Sequence, residues 1–310
     1  MKIWCFPIIV PLVCSTVITS EENMEIMNNC GRHGNVESGR HKSYGGRQLT
    51  YNKYPWVATI EVEENGRWEM KCSGALISPR HVITAAHCFK EFFGPKRRRV
   101  DRKNQKRRVF LGSRCNPPQG CEKPYSVKEV IHYPCLIKER DDDIAIMHLE
   151  EEVSSNNATP ICLPGLSLEP KSSLLFVGAG YDSSVPEKPF SRGLQELKLK
   201  YKYDDRQQRY IVVHGDNTST CDGDSGGPLF QQDSYGRWTI MGTLSHGDHA
   251  ESPMKDCTTT SHGDSIDYFT DVRPYLGWIC RITGVCAFHP PFPNLLGPLW
   301  SHRLVKRSLC

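Results

Sequence analysis

An all-β fold, an antiparallel sandwich or barrel, is what this 310-residue sequence predicts. Three observations point there: many short apolar runs, turn residues between most of them, and one stretch with helical spacing. Residues 56–62 and 68–77 are strand-like runs on either side of Asn65-Gly66. Asn-Gly supplies the two left-handed residues that a tight hairpin needs. Short apolar runs follow at 109–111, 144–149, 174–177 and 238–244, and residues 197–203 alternate apolar and charged as a half-buried strand does. The helical stretch is 271–282. Asp271 can cap it, Pro274 is tolerated in a first turn, and Val272, Tyr275, Leu276 and Ile279 share a face. No internal repeat is visible, and residues 287–310 form a Pro-rich tail.

Composition sets further bounds. Hydrophobic residues make up 38% of the chain. That excludes a wholly disordered chain, a collagen-like rod and a multi-span membrane protein. Lys+Arg 39 against Asp+Glu 35 leaves a net charge of +4, which gives no reason to expect a nucleic-acid partner. Fourteen Cys argue for an oxidising compartment, because the short paired spacings of zinc modules are missing. The first residues agree. Lys2 precedes an apolar run over 3–17, broken by Pro7 and Pro11, with a small polar end. This is the pattern of a secretory signal, too short and too interrupted for a span, with cleavage expected near Ser20. Removing 1–20 takes Cys5 and Cys14 and leaves twelve Cys. Residues 21–42 are polar, contain Cys30, and read as a leader. No later segment is long and apolar enough to span, so the expected product is secreted and soluble.

Three short motifs carry chemistry. The strongest is Cys221-Asp-Gly-Asp-Ser-Gly-Gly-Pro228. A nucleophilic Ser needs an exposed hydroxyl and backbone N–H groups aimed at the developing oxyanion. The glycines flanking Ser225 let the backbone approach a carbonyl closely. The bland explanation is a Gly/Asp/Ser surface turn. The second is Thr84-Ala-Ala-His87-Cys88, where a lone His beside a disulfide is more often structural. The third is Asp143-Ile-Ala-Ile146, an Asp opening an apolar strand, against the alternative of a solvated acidic run with Asp141 and Asp142. Each bland explanation holds singly. Together, an acid that orients an imidazole, a base and a Ser form a known set of roles.

In these motifs, in the order His, Asp, Ser, the chain resembles the trypsin/chymotrypsin-type serine proteases over about residues 43–282. The resemblance implies two orthogonal six-stranded antiparallel barrels with a C-terminal helix and a cleft between the barrels. It implies His87 as general base, Asp143 as its orienting acid and Ser225 as nucleophile. The amides of Gly223 and Ser225 become the oxyanion hole. Asp224 matches the acid that pairs with the new N-terminus after precursor cleavage, and Ser245 and Gly247 match the strand that binds substrate backbone. Pro55-Trp56, the segment Leu194-Gln-Glu-Leu197, and Val272, Tyr275, Trp278 and Ile279 match further landmarks. The domain plan is then a signal (1–20), a leader (21–42), a protease domain (43–286) and a tail (287–310). No cofactor or metal is implied, and the partners are protein or peptide substrates.

The departures are as informative. Gly45-Gly46 keeps the family's distance to Pro55, so activation would cut after Lys42 and free Ser43. Ser43-Tyr44 stands where the family has an apolar pair, and Ser forgoes about 1.5–3 kcal/mol of side-chain burial. Ala179 and His246 stand where the family has Trp. Ser219, six residues before the nucleophile, makes a neutral pocket base. Asp267 lies either on the pocket wall, where it demands a cationic substrate side chain, or one residue out on the surface. Lys96 to Arg108 holds nine Lys/Arg and one Asp. That segment is either a solvated, disordered loop, a processing site, or an exosite for an acidic protein or sulfated glycan.

By the same resemblance Cys72–Cys88, Cys221–Cys257 and Cys30–Cys162 are bridges. Cys115, Cys121, Cys135, Cys280, Cys286 and Cys310 remain, in any of 15 pairings. Asn157 and Asn217 head glycosylation sequons. The functional expectation is a secreted endopeptidase made as an inactive precursor. The alternative is a protease-like binding protein that keeps the fold, has lost turnover, and uses its basic loop for acidic partners.

Overall fold

The computed structural model describes residues 17–32, 47–48, 53–93, 98–101, 105–112, 123–134, 142–180, 194–216, 218–248 and 265–287. Two closed antiparallel barrels follow one another along the chain. The first is built from β2 (Val57–Glu64), β3 (Arg67–Ser78), β4 (His81–Thr84), β7 (Arg107–Leu111), β8 (Tyr125–His132) and β9 (Ala145–Leu149), in the order β2-β3-β4-β9-β8-β7. The expected Asn65-Gly66 turn joins β2 to β3, with φ of 52° and 76°, the left-handed pair of a tight hairpin. The hairpin tip on β3 is solvent-facing, and residues from Cys72 onward are buried. The same strand thus serves first as a ribbon and then as barrel wall.

The second ring is β10 (Ser173–Gly178), β11 (Gln195–Asp205), β12 (Tyr210–Gly215), β15 (Ser265–Asp271), β14 (Trp238–Asp248) and β13 (Pro228–Gln232), closed where β10 pairs with β13. A two-residue strand, β1 (Arg47–Gln48), lies on the outer edge of β11. Closure leaves each ring without open edges along its length. Tyr54, Trp56, Phe230 and Trp238 come from both halves and meet with ring centroids 5.1–5.9 Å apart, mostly edge-on. Each such ring buries enough apolar surface to dominate local packing, so this cluster is the mortar between the barrels.

Several strands had no clear signal in the sequence. Tyr125–His132 mixes charges with β-branched residues, and only part of one face is covered. β4 is four residues long and wholly buried, too short for any periodicity to register. At the C-terminus, the helix expected from Asp271 onward is split. A 3-10 turn at Arg273–Tyr275 comes first and α2 (Leu276–Thr283) follows. The N-cap is Val272 and not the expected Asp271, although the Asp271 carboxylate, one residue earlier, accepts the Arg273 N–H at 2.9 Å.

The segment expected to be a leader contains a helix that the sequence did not suggest, α1 (Ser20–Asn29). Thr19 and Glu22 form a reciprocal capping box, and that Thr-x-x-Glu spacing was the available signal. The helix is docked. Ile18 N–H donates to Thr283 O at 2.7 Å, and Asn23 exchanges two hydrogen bonds with the Cys286 backbone. Glu22 meets Arg80 at 2.7 Å, and the Cys30–Cys162 bridge ties the far end. Ile18 and Thr19, which a cut near Ser20 would remove, are therefore built into this contact.

The basic segment also differs from a wholly unstructured loop. Arg98–Asp101 (β6) pairs antiparallel with Lys90–Phe93 (β5), and Arg107 and Arg108 belong to β7. Lys106 pairs with Glu63 at 3.1 Å and Arg108 with Glu61 at 2.7 Å, while Arg107 lies over the Phe89 ring. Three of the nine cations are thus engaged on the barrel.

Cys72–Cys88 is bonded as expected, and Cys221 is disulfide-bonded. Its expected partner Cys257 lies outside the described residues. Cys280 and Cys286, unassigned in the sequence, are joined to each other. Cys115, Cys121, Cys135 and Cys310 lie outside the described residues. No helix among the described residues is long and apolar enough to cross a membrane.

Candidate active site

The three motifs come together between the barrels. His87 sits on a 3-10 turn, Ala86–Phe89, that continues from β4 and is pinned to β3 by Cys72–Cys88. Asp143 lies two residues before β9, wholly buried at 0% exposure. Both carboxylate oxygens face the His turn. Oδ1 accepts the His87 backbone N–H at 2.8 Å, and Oδ2 lies 2.7 Å from His87 Nδ1. Ser245 on β14 donates its hydroxyl to the same Oδ2 at 2.7 Å, and Thr270 on β15 donates to the Asp143 carbonyl at 3.1 Å. The second barrel therefore reaches across to hold an acid of the first.

The electrostatics follow from this arrangement. Burial pushes the Asp143 carboxyl up, but the His87 charge and the hydrogen bonds from His87 and Ser245 outweigh it and hold the group below its ordinary range. Asp143 stays a carboxylate. A carboxylate at that position favours the proton on His87 Nδ1 and an unprotonated Nε2.

Ser225 lies in the tight turn that leads into β13. Its carbonyl accepts the Ser73 N–H at 2.8 Å and lies 3.9 Å from Cys88 Sγ, so the Ser turn rests against the His turn. Gly223 has φ +92°, and an added Cβ would stand 2.8 Å from Met70 Sδ. Gly226 has φ +78°, and its Cβ would fall 2.1 Å from Thr84 Oγ1. These two positions accept no side chain without backbone movement.

Asp224 is buried under the same turn. Its carboxylate accepts N–H groups of Gly180 and Cys221, each at 2.8 Å. Burial pushes its pKa up to about 7. Those two bonds work against the shift, and the charges of Asp267 and Asp222 add to it.

Asp267 is inside, not on the surface. It is 0% exposed on β15, beside Gly247 in register, and accepts hydroxyls from Thr220 at 2.5 Å and Ser265 at 3.1 Å. Ser219 is exposed, and its neighbour Thr220 is the residue that turns inward to Asp267. His246 stacks face to face on Tyr268 at 4.5 Å, with Tyr210 edge-on. Asn157 is half-buried, its Nδ2 donating to Tyr125 OH at 3.0 Å. Lys42, Ser43 and Asn217 lie outside the described residues. Cys72, His87 and Cys88 stand close enough to share an ion, but the two sulfurs are bonded to each other.

A family model described as Trypsin matches residues 43–279. The chain belongs to the trypsin family. Among curated relatives, this trypsin-family chain is 30% identical over 289 residues to the urokinase-type plasminogen activator of Gallus gallus, covering 86% of this chain and 61% of that protein. It is 29% identical over 280 residues to transmembrane protease serine 11C of Mus musculus, covering 84% and 58%. It is 25% identical over 221 residues to the venom peptide isomerase heavy chain of Agelenopsis aperta, covering 66% and 88%. The chain thus spans about three fifths of the length of the first two relatives.

Sequence reasoning missed Ser73, Met70 and Thr270. They carry no motif, and only the three-dimensional meeting of the barrels gives them neighbours in the site.

Proposed function

We propose that this trypsin-family chain is a secreted serine endopeptidase made as an inactive precursor. The observation that carries the reading is the buried Asp143 carboxylate bonded to both the backbone and Nδ1 of His87, with the Ser225 turn packed beside them. Ser225 Oγ attacks a peptide carbonyl while His87 Nε2 takes its proton. The oxyanion is held by the amides of Gly223 and Ser225. His87 then protonates the leaving amine, and water resolves the acyl-enzyme by the same steps in reverse. The secretory signal ends before Val17, because Ile18 and Thr19 are part of the docked leader. The Cys30–Cys162 bridge keeps that leader attached after activation.

Activation cuts after Lys42 and frees the Ser43 ammonium to reach Asp224. In the uncut chain Asp224 is held by two amides and has its pKa raised to about 7. A raised carboxyl pKa stabilises the fold below the ordinary value of about 3.9, and that contribution is lost as pH rises toward the folded value. The uncut protein should therefore lose stability between about pH 4 and 7. The cut protein should not, because an ammonium returns Asp224 to the charged form. Chemical denaturation of both forms across that range, with sequencing of the new N-terminus, checks this. Parallel pH profiles for the two forms would contradict it.

Asp267 supplies the charge of the specificity pocket, with Ser219 at its rim and the strand bearing Ser245 and Gly247 along the substrate backbone. A carboxylate buried beside the substrate strand, accepting hydroxyls from Thr220 and Ser265, favours a cationic side chain. A peptide library should show cleavage after Arg and Lys over Phe and Tyr. Asp267→Ser should lower cleavage after Arg or Lys by about 100-fold, the scale of a lost buried charge pair, while sparing Phe and Tyr. Equal loss on both substrate classes would mean that Asp267 only supports the pocket wall.

The six cations over 96–103, seven to fourteen residues beyond the His turn, provide an exosite for acidic protein or sulfated glycan. The competing reading, a binding protein without turnover, draws on Ser43-Tyr44 and His246 in place of the family's residues.

A further inference from the structure

Ser73 lies in β3, wholly buried, and every polar atom it has is in use. Its hydroxyl donates to the Gly223 carbonyl at 2.9 Å and accepts the Ala179 N–H at 3.0 Å. Its own N–H donates to the Ser225 carbonyl at 2.8 Å, and its carbonyl accepts the Thr84 hydroxyl at 2.8 Å. One residue of the first barrel therefore grips both Gly223 and Ser225, which belong to the second.

The Gly223–Asp224 peptide links the two amides assigned to the oxyanion. It is held on both edges. Its carbonyl accepts from Ser73 Oγ, and its N–H donates to Cys221 O at 2.9 Å. In the following peptide, the Asp224 carbonyl accepts the Gly227 N–H at 2.9 Å. A trans peptide points its N–H opposite to its C=O, so that bond turns the Ser225 N–H the other way. What remains to be held is the Gly223 side. A glycine at φ +92° has no Cβ to resist rotation, so the peptide beyond it keeps its plane through its hydrogen bonds. The hydroxyl of Ser73 is the side-chain group that meets it.

We propose that Ser73 is a positioning residue for the oxyanion hole: its hydroxyl fixes the Gly223–Asp224 peptide and so aims the two amides at one point. The inference rests on the protease reading above. Removing the hydroxyl leaves both donors present but one of them free to swing. The loss should therefore fall below the ~10²–10³ of deleting a donor outright.

Two variants separate positioning from stability. Ser73→Ala removes this hydroxyl. Thr283→Val removes a buried hydroxyl of the same kind on α2, which donates to Ile279 O at 2.7 Å and accepts the Val285 N–H at 2.9 Å. Both should lower thermal stability by similar amounts. Only Ser73→Ala should lower kcat on a peptide amide, by about 10- to 100-fold with KM within about twofold, and weaken a peptide aldehyde inhibitor by the same factor. Ser73→Gly removes the same hydroxyl with less bulk and should repeat the loss. If kcat stays within about twofold of the wild type, or falls equally in Thr283→Val, Ser73 is structural and the inference is overturned. A folded, cut wild type that hydrolyses no peptide overturns the protease reading itself, and this inference with it.

Discussion

Asp143→Asn should lower kcat about 10⁴-fold while leaving the protein folded. The expected mechanism is a reversed tautomer. Asn offers an N–H where the carboxylate offered Oδ2, so His87 Nδ1 must accept and Nε2 must carry the proton. In that state His87 cannot take the proton of Ser225. The fold should tolerate the change because Asn keeps the shape and an Oδ1 that accepts the His87 amide, the Ser245 hydroxyl can rotate to accept from the new NH2, and the Thr270 bond goes to the backbone carbonyl. The same substitution has a pH signature. The Asp143 pKa is lowered in the folded protein, so its stabilising contribution is present above the ordinary carboxylate value and is lost as pH falls through the lower folded value. The wild type should begin to lose stability below about pH 4, and Asp143→Asn should lose less over that interval. Steady-state kinetics on a chromogenic peptide and acid titrations of both proteins measure these effects. A kcat loss under about tenfold would mean that Asp143 does not orient the base.

Gly223→Val should be nearly as damaging by a different route. The position has φ +92°, where a β-branched residue is strained by about 1–3 kcal/mol, and a Cβ there stands 2.8 Å from Met70 Sδ. The Met side chain can yield, but the backbone cannot keep its angle. Rotation takes the Gly223 N–H away from the oxyanion, and one lost donor costs about 3–4 kcal/mol, or 10²–10³ in kcat. KM should change little, because the proposed holder of the substrate backbone is β14 and not this turn. Shortening the neighbour, as in Met70→Ala with Gly223→Val, should not restore activity, since strain and not bulk is the cause. Full recovery in that double variant would place the fault in the steric contact instead.

The parts of the site legible in the sequence are those that chemistry confines to short segments. Gly223, Ser225 and Gly226 must lie in one turn, so the Cys221–Pro228 motif announces itself. His87 and Asp143 were legible as candidates because each stands at the mouth of an apolar run, and the order along the chain made them a set. The hairpin at Asn65-Gly66 was legible because its dihedral requirement is local. What was not legible depends on distant partners. Ser73 has meaning only because β3 lies under the Gly223 turn, 150 positions away. Asp267 stood between pocket and surface because a one-residue shift in a strand exchanges its faces, and register is set by pairing with β12 and β14. The α1 helix was passed over because its residues are polar, although the Thr19–Glu22 capping box was readable. Its stability comes from docking on Thr283 and Cys286, which no local pattern encodes.

The central claim is that Ser225 is an activated nucleophile once the chain is cut after Lys42. The measurement that tests it most directly is fluorophosphonate labelling of folded protein before and after that cut, with the adduct located by peptide mass spectrometry. The account predicts one adduct, on Ser225, that forms rapidly only in the cut protein and is abolished by His87→Ala. A folded, correctly cut protein that takes no label at Ser225 would contradict it and leave a protease-like binding protein in its place.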